Sequence, residues 1–217
     1  MGSTREWNTM GYLDLKTFDE IEAQRTPFEY IIVPSFVKAK QLMEVNNHFP
    51  SIEKAGNFPI EQLAYGPAFR AFVDEIKGPG FQSAIEKKFG INLNGMHHVV
   101  TIRGFAENSD GNIHTDAPSK VITALIYLNE NWDSDAGRLR LLRNSYDIED
   151  YVAEVPPTAG TLLVFKRSEC SWHGHKRYSG PRRTIQVNWV SEERKENISY
   201  QIGQVKRRIV RWFGQEV

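Results

Sequence analysis

Cysteine is almost missing from this chain: Cys170 is the only one in 217 residues. A lone thiol cannot close an internal disulfide, so a disulfide scaffold is excluded and a reducing, cytoplasmic setting is the expectation. A charge excess of either sign is missing too. Lys and Arg number 27 against 27 Asp and Glu, for a formal net charge of zero. No global field therefore draws the chain to nucleic acid or to an anionic membrane, and neither partner is expected. No apolar run approaches the length of a membrane span, and the first residues lack a signal peptide's apolar core. Internal repeats and low-complexity tracts are absent. What remains is an ordinary globular composition, 40% hydrophobic and 25% charged. It is long enough for a proper core and most simply forms one domain.

Residues 1–27 are polar and mixed, and are predicted to be an N-terminal extension, poorly ordered or peripheral; residues 28–217 are predicted to form the domain. Phe28 to Val33 reads as a strand cut by Pro34, and Ser35 is placed to cap a helix over about 34–47. Prolines and glycines between Pro50 and Pro67 make that stretch irregular. Phe69, Phe72, Val73 and Ile76, then Phe81, Ile85 and Phe89, recur at helical spacing on either side of Gly78-Pro79-Gly80. They predict two buttressing helices over about 68–89 whose aromatic stripe is core. From Ile91 onward short β-branched runs alternate with turns, the pattern of an antiparallel sandwich or barrel. Val121 to Leu128 has the continuous apolar text of a central strand. Ile202, Val205, Ile209, Trp212 and Phe213 predict a closing helix over about 199–213.

The run Ile113-His114-Thr115-Asp116-Ala117-Pro118 carries the chemistry. Alternate residues of a strand project together, so His114 and Asp116 would form half of a metal site. Ser171-Trp172-His173-Gly174-His175 is the only later segment that offers histidine, 59 positions on (173 − 114). His173 and His175 share one strand parity, so alternation alone leaves both open as the third ligand. Two imidazoles and one carboxylate on one face of a metal, with other positions free, suit non-haem Fe(II). Further on, Arg182 and Arg183 point to opposite faces of a strand, so only one can enter a barrel. His97 and His98 likewise face opposite ways and read as strand residues. No Asn or Asp pattern accompanies Cys170 to make it a nucleophile.

His114 to Leu128 (HTDAPSKVITALIYL) and Pro181 to Val190 (PRRTIQVNWV) after SWHGH resemble the iron- and 2-oxoglutarate-dependent oxygenases of the prolyl-hydroxylase-like group. The resemblance runs from about Val99 to Val190. It implies a mainly β fold with flanking helices, a double-stranded β-helix (jelly roll). It also implies Fe(II) on His114, Asp116 and His173, with 2-oxoglutarate as co-substrate and ascorbate as an accessory. The family usually sets ten or so residues between the last ligand and the co-substrate cation, a step that joins His173 to Arg183 (183 − 173 = 10). Arg183 shares parity with Val187 and Trp189, which resemble the inward residues of the family's last strand. Tyr127 stands where relatives often bring a hydroxyl to the same carboxylate, and Leu125 and Val187 would be apolar walls. A carboxylate at 116, where related halogenases carry a small residue, implies a hydroxylase acting on an unactivated C–H bond and releasing succinate and carbon dioxide. A small-molecule substrate is favoured, with a protein side chain as the alternative. Two rivals stand beside this reading: a jelly-roll isomerase or hydrolase using Zn(II) or Mn(II) without 2-oxoglutarate, and a non-catalytic jelly-roll binding module. Ala136-Gly137 departs from the Gly-Gly common in the family, and the helices and Pro50 to Pro67 match no pattern of it.

Overall fold

The computed structural model describes residues 11–191. The helix expected over 199–213 lies outside them. Four helices precede most of the strands: α1 (Leu15–Glu20), α2 (Ala39–Asn47), α3 (Pro67–Ile76) and α4 (Pro79–Phe89). The strands are β1 (Tyr30–Val33), β2 (Phe58–Pro59), β3 (His97–Ala106), β4 (Lys120–Tyr127), β5 (Leu139–Leu142), β6 (Tyr151–Val155), β7 (Leu162–Lys166), β8 (His173–Gly174) and β9 (Gly180–Val190). They form a six-stranded sheet in the order β1-β7-β4-β9-β3-β2 and a three-stranded sheet in the order β6-β5-β8. Every paired neighbour is antiparallel.

The helical buttress forms as its spacing predicts. Pro67 and Pro79 occupy first-turn positions of α3 and α4, where a missing N–H costs nothing. Gly90 ends α4 in the left-handed region at φ 61°, which a side chain would strain. Phe69, Phe72, Phe81, Ile85 and Phe89 pack on the outer face of the large sheet, against Ile102, Ile122, Ala124, Ile126, Val187 and Trp189. Trp189 meets Phe81 edge-on at 6.0 Å. A second, smaller cluster joins the two sheets: Tyr30, Tyr127, Leu163 and Phe165 from one, Leu139, Leu141 and Val155 from the other.

Two expectations need correction, and one strand had gone unread. Residues 11–27 are not peripheral: Phe18 is fully buried and Leu13 nearly so. Polar contacts hold this segment, because Glu75 accepts the N–H groups of Tyr12 and Leu13 while Lys88 donates to the carbonyls of Asp19 and Ile21. Leu13 and Phe18 enter the core, and Tyr12, Leu15 and Ile21 pack against it. Ser35 does not cap α2. It takes a turn at φ 55°, and the helix begins after Lys38. The strand Tyr151–Val155 had no clear signal, being partly exposed along most of its length.

Candidate active site

Between the two sheets lies a cavity of about 200 Å³, lined among others by His114, Asp116, Lys120, Thr123, Leu125, His173, His175, Arg182, Thr184 and Gln186. One ligand atom each from His114, Asp116 and His173 lies within 4.8 Å of the others. The means differs from the one the sequence suggested, because no continuous strand runs through His114. Instead His114 and His173 form an isolated antiparallel bridge: each backbone N–H donates to the other's carbonyl, at 3.0 and 2.9 Å. That two-residue bridge brings the imidazoles to 4.4 Å between ring centroids.

Each imidazole is oriented by its own chain. Nδ1 of His114 lies 2.8 Å from the carbonyl of Asn112, and Nδ1 of His173 lies 2.9 Å from that of Ser171. A carbonyl only accepts, so both Nδ1 atoms carry a proton, which leaves Nε2 as the atom each ring can offer a metal. Burial pushes the pKa of His173 down to about 4, with neighbouring Asp116 opposing and His114 assisting, so its ring is neutral at ordinary pH. Asp116 is 5% exposed. Burial alone would raise its pKa, but Lys120, His173 and Thr123 together outweigh it and hold the carboxyl below its usual value. Lys120 donates to its Oδ1 and Thr123 to its Oδ2, both at 2.5 Å.

Away from these three the cavity holds a cation. Arg182 is buried, with its guanidinium 5.5 Å from the centroid of the Tyr127 ring. It donates through Nε to the carbonyl of Gly137 at 3.0 Å and reaches Thr184 Oγ1 at 3.5 Å. Among the described residues no carboxylate stands within ion-pair distance of it. Burial accordingly pulls its pKa below the ordinary arginine value, with Tyr127 opposing. The hydroxyl of Tyr127 is buried and makes no hydrogen bond of ordinary geometry, with the Arg182 guanidinium its polar neighbour; burial raises its pKa, against the pull of Arg182.

This corrects the register on β9. Arg183 does not enter the cavity: its guanidinium lies 5.1 Å from the Phe49 ring centroid, on the helix side of the sheet. Val187 and Trp189 share that outward face and pack in the helix-backed core, so Val187 is not a cavity wall. The reason is physical. The outer face of the sheet is covered by helices and must be apolar, whereas the inner face lines a polar cavity and reads Arg182, Thr184, Gln186, Asn188. Their polar character at every second position on a strand buried on both sides was the available signal. Leu125 does line the cavity. His175 lines it as well but is not among the three clustered residues. Burial and neighbouring Arg182 push its pKa down to about 4, and its Nδ1 faces the carbonyl of Lys176. Lys120, Thr123, Asn188 and Gln186 are site residues that sequence reasoning passed over.

The donor set fits Fe(II) and 2-oxoglutarate. Two imidazoles and a carboxylate suit the metal. A buried arginine without an anion, beside a buried phenol hydroxyl, suits a carboxylate.

Comparison with known proteins agrees. Residues 100–191 match the family model of the 2OG-Fe(II) oxygenase superfamily. No curated protein matches the sequence. Among solved structures the fold is similar to a Pseudomonas putida prolyl-4-hydroxylase, at TM-score 0.52 and 17% identity over 75% of this chain and 92% of that one. It is similar too to the viral collagen prolyl hydroxylase of Paramecium Bursaria Chlorella virus-1 in its 2OG complex, at TM-score 0.51 and 14% identity over 75% and 96%. A Phytophthora capsici prolyl 4-hydroxylase gives 0.51 and 13% over 90% and 72%. Residues 100–191 thus match a 2OG-Fe(II) oxygenase domain, and the fold is similar to the jelly roll of prolyl 4-hydroxylases.

Proposed function

We propose that the chain hydroxylates an unactivated C–H bond of a small polar metabolite in a cytoplasmic setting, with His114, Asp116 and His173 holding the iron. Arg182 and Tyr127 take the far carboxylate of 2-oxoglutarate, and Leu125 walls its methylene stem. When bound, iron and co-substrate supply the oxidising chemistry: one atom of O₂ enters the product as hydroxyl, and 2-oxoglutarate leaves as succinate and carbon dioxide. The protein's part is placement. The His114–His173 bridge sets the two imidazoles, Thr123 and Lys120 hold the carboxylate, and Arg182 fixes the co-substrate's orientation at the buried end.

One observation carries the reading. A buried, anion-free arginine and three clustered ligands line a single cavity, and a metal-chelating dicarboxylate is the simplest molecule that answers both. A hydrolase or isomerase needs no such cation, and a vestigial binding module has no use for oriented imidazoles. The preference for a polar metabolite rests on the remaining lining. Asn57, Arg103, Asp110, Lys120 and Gln186 offer hydrogen bonds and charges rather than the apolar wall a prolyl ring would bury against. The cavity is also small beside the ~300–1,000 Å³ typical of sites for larger ligands. Succinate release under Fe(II), 2-oxoglutarate and ascorbate, screened against metabolites and peptides, tests this. Stimulation by a polar metabolite is expected; stimulation by peptides alone transfers the assignment to a protein side chain, and none above background with any compound counts against a hydroxylase.

A further inference from the structure

Asp116 is the one carboxylate of the ligand cluster, and both its oxygens are already engaged by side chains. A chain of polar groups leads from it along the inner face of the sheet. Thr123 Oγ1 reaches Asp116 Oδ2 at 2.5 Å and Asn188 Oδ1 at 3.0 Å, and Gln186 Nε2 donates to that same Asn188 oxygen at 3.2 Å. Thr123 and Asn188 are 1% and 3% exposed, while Gln186 lines the cavity. The register explains the meeting, since Thr123 on β4 lies directly across from Asn188 on β9.

A hydroxyl has one proton, and here two acceptors compete for it. If it goes to Asn188, a threonine lone pair faces the carboxylate Oδ2 at 2.5 Å, which is repulsive. If it goes to Asp116, the bond is charge-assisted and short, as such bonds are. The amide of Gln186 settles the competition by supplying an N–H to the Asn188 oxygen, which then has less need of the threonine proton. Lys120 closes the arrangement on Oδ1, so the carboxylate plane is fixed at both ends.

We propose that Thr123 is a positioning residue that locks the Asp116 carboxylate for metal binding, and that Gln186, acting through Asn188, directs the Thr123 proton to Asp116. The inference rests on the metal-site reading above and concerns the orientation of one ligand. Groups behind a metal ligand typically contribute 10–100-fold to affinity when removed.

The test is anaerobic titration of the full chain with Co(II), read as dissociation constant and as d–d absorption spectrum, with thermal melting as a control for folding. Thr123→Val keeps the shape and removes the proton; it is expected to weaken Co(II) binding by about tenfold or more and to alter the spectrum. Thr123→Ala serves the same purpose should the valine variant fold poorly. Thr123→Ser restores the hydroxyl and is expected to restore both readouts. Gln186→Leu frees the Asn188 oxygen to compete and is expected to weaken binding less, with the same sign. Asn188→Leu removes the competing acceptor along with its contact to Thr123, and is expected to weaken Co(II) binding clearly less than Thr123→Val does. The proposal is overturned by Thr123→Val binding Co(II) with wild-type affinity and spectrum, by failure of serine to rescue, or by Asn188→Leu matching the valine variant. A wild-type chain that takes no Co(II) overturns the metal-site reading itself, a result distinct from all of these.

Discussion

The two faces of β9 are both buried and have opposite chemistry. Outward, Ile185, Val187 and Trp189 meet helices and join the large apolar core. Inward, Arg182, Thr184 and Gln186 alternate with them and line the cavity, and Asn188 on the same face meets Thr123. One strand therefore serves two functions separated by the thickness of its own backbone. The outer face holds the sheet onto its buttress by apolar burial, at about 25 cal/mol per Å². The inner face buries polar groups that cost free energy unless something satisfies them. Among the described residues Arg182 on this face has no anion beside it, and the Tyr127 ring of neighbouring β4 lies against it.

Removing a metal ligand should break the inner face most completely. His173→Ala is expected to abolish metal binding in an anaerobic titration, because two remaining donors hold a divalent ion poorly. His175→Ala should keep the metal, since its ring stands outside the cluster. Loss of metal on changing His175 alone would transfer the third ligand two residues along.

Next comes the arginine pair, which compares the faces directly. Arg182→Ala leaves a buried carboxylate without its cation, a loss of about 3–5 kcal/mol. That corresponds to a 100-fold or greater weakening of 2-oxoglutarate in metal-loaded protein, measurable by calorimetry without turnover. Arg183→Ala, on the helix side, should leave co-substrate affinity unchanged. Equal effects from the two variants would mean that the faces are not separate.

The outer face should fail differently. Val187→Ala removes two carbon groups from packed core, and at ~0.8 kcal/mol per buried CH₂ plus a cavity cost the fold should lose about 2 kcal/mol in denaturant unfolding. Metal and 2-oxoglutarate affinities of the folded protein should stay at wild-type values, because Val187 touches neither the cluster nor the cavity.

The contrast also explains what was legible in the text. Helices α3 and α4 were readable because an amphipathic helix repeats its apolar face at 3.6-residue spacing, as Phe69, Phe72 and Ile76 do. Central strands β4 and β7 were readable from continuous β-branched and apolar runs. His114 and Asp116 were noticed for the right neighbourhood but through the wrong geometry. A two-residue bridge to His173 depends on a contact 59 positions away and leaves no local pattern. Alternation left Arg182 and Arg183 as alternatives, and Arg183 was preferred because Val187 and Trp189 on its face resemble the inward residues of the family's last strand. In this chain that face packs against helices, and the opposite, polar face lines the cavity. The docking of residues 11–27 escaped for a related reason, since Phe18 and Leu13 make too short a pattern to register while Glu75 and Lys88 hold the backbone from far along the chain.

Tyr127→Phe is the smallest change and separates the two faces by sign. Tyr127 is fully buried, and its ring packs with Leu139, Leu163 and Phe165 while its hydroxyl makes no hydrogen bond of ordinary geometry. Deleting such a hydroxyl removes a desolvation cost of about 1–3 kcal/mol and no well-formed hydrogen bond. The ligand-free protein should therefore melt at the same temperature or higher, and the ring's apolar packing is retained. Co-substrate binding should respond in the opposite direction. If the hydroxyl donates to the far carboxylate of 2-oxoglutarate, its loss forfeits one charge-assisted hydrogen bond, about 1.5–3 kcal/mol, or roughly ten- to a hundredfold in affinity. Arg182 still supplies the charge, which places the phenylalanine variant's loss below that of Arg182→Ala. A protein stabilised or unchanged in isolation and weakened toward 2-oxoglutarate is what a group kept unsatisfied for a ligand must show. Destabilisation of the ligand-free protein with unchanged co-substrate affinity would make Tyr127 an ordinary core residue and leave Arg182 as the anchor alone.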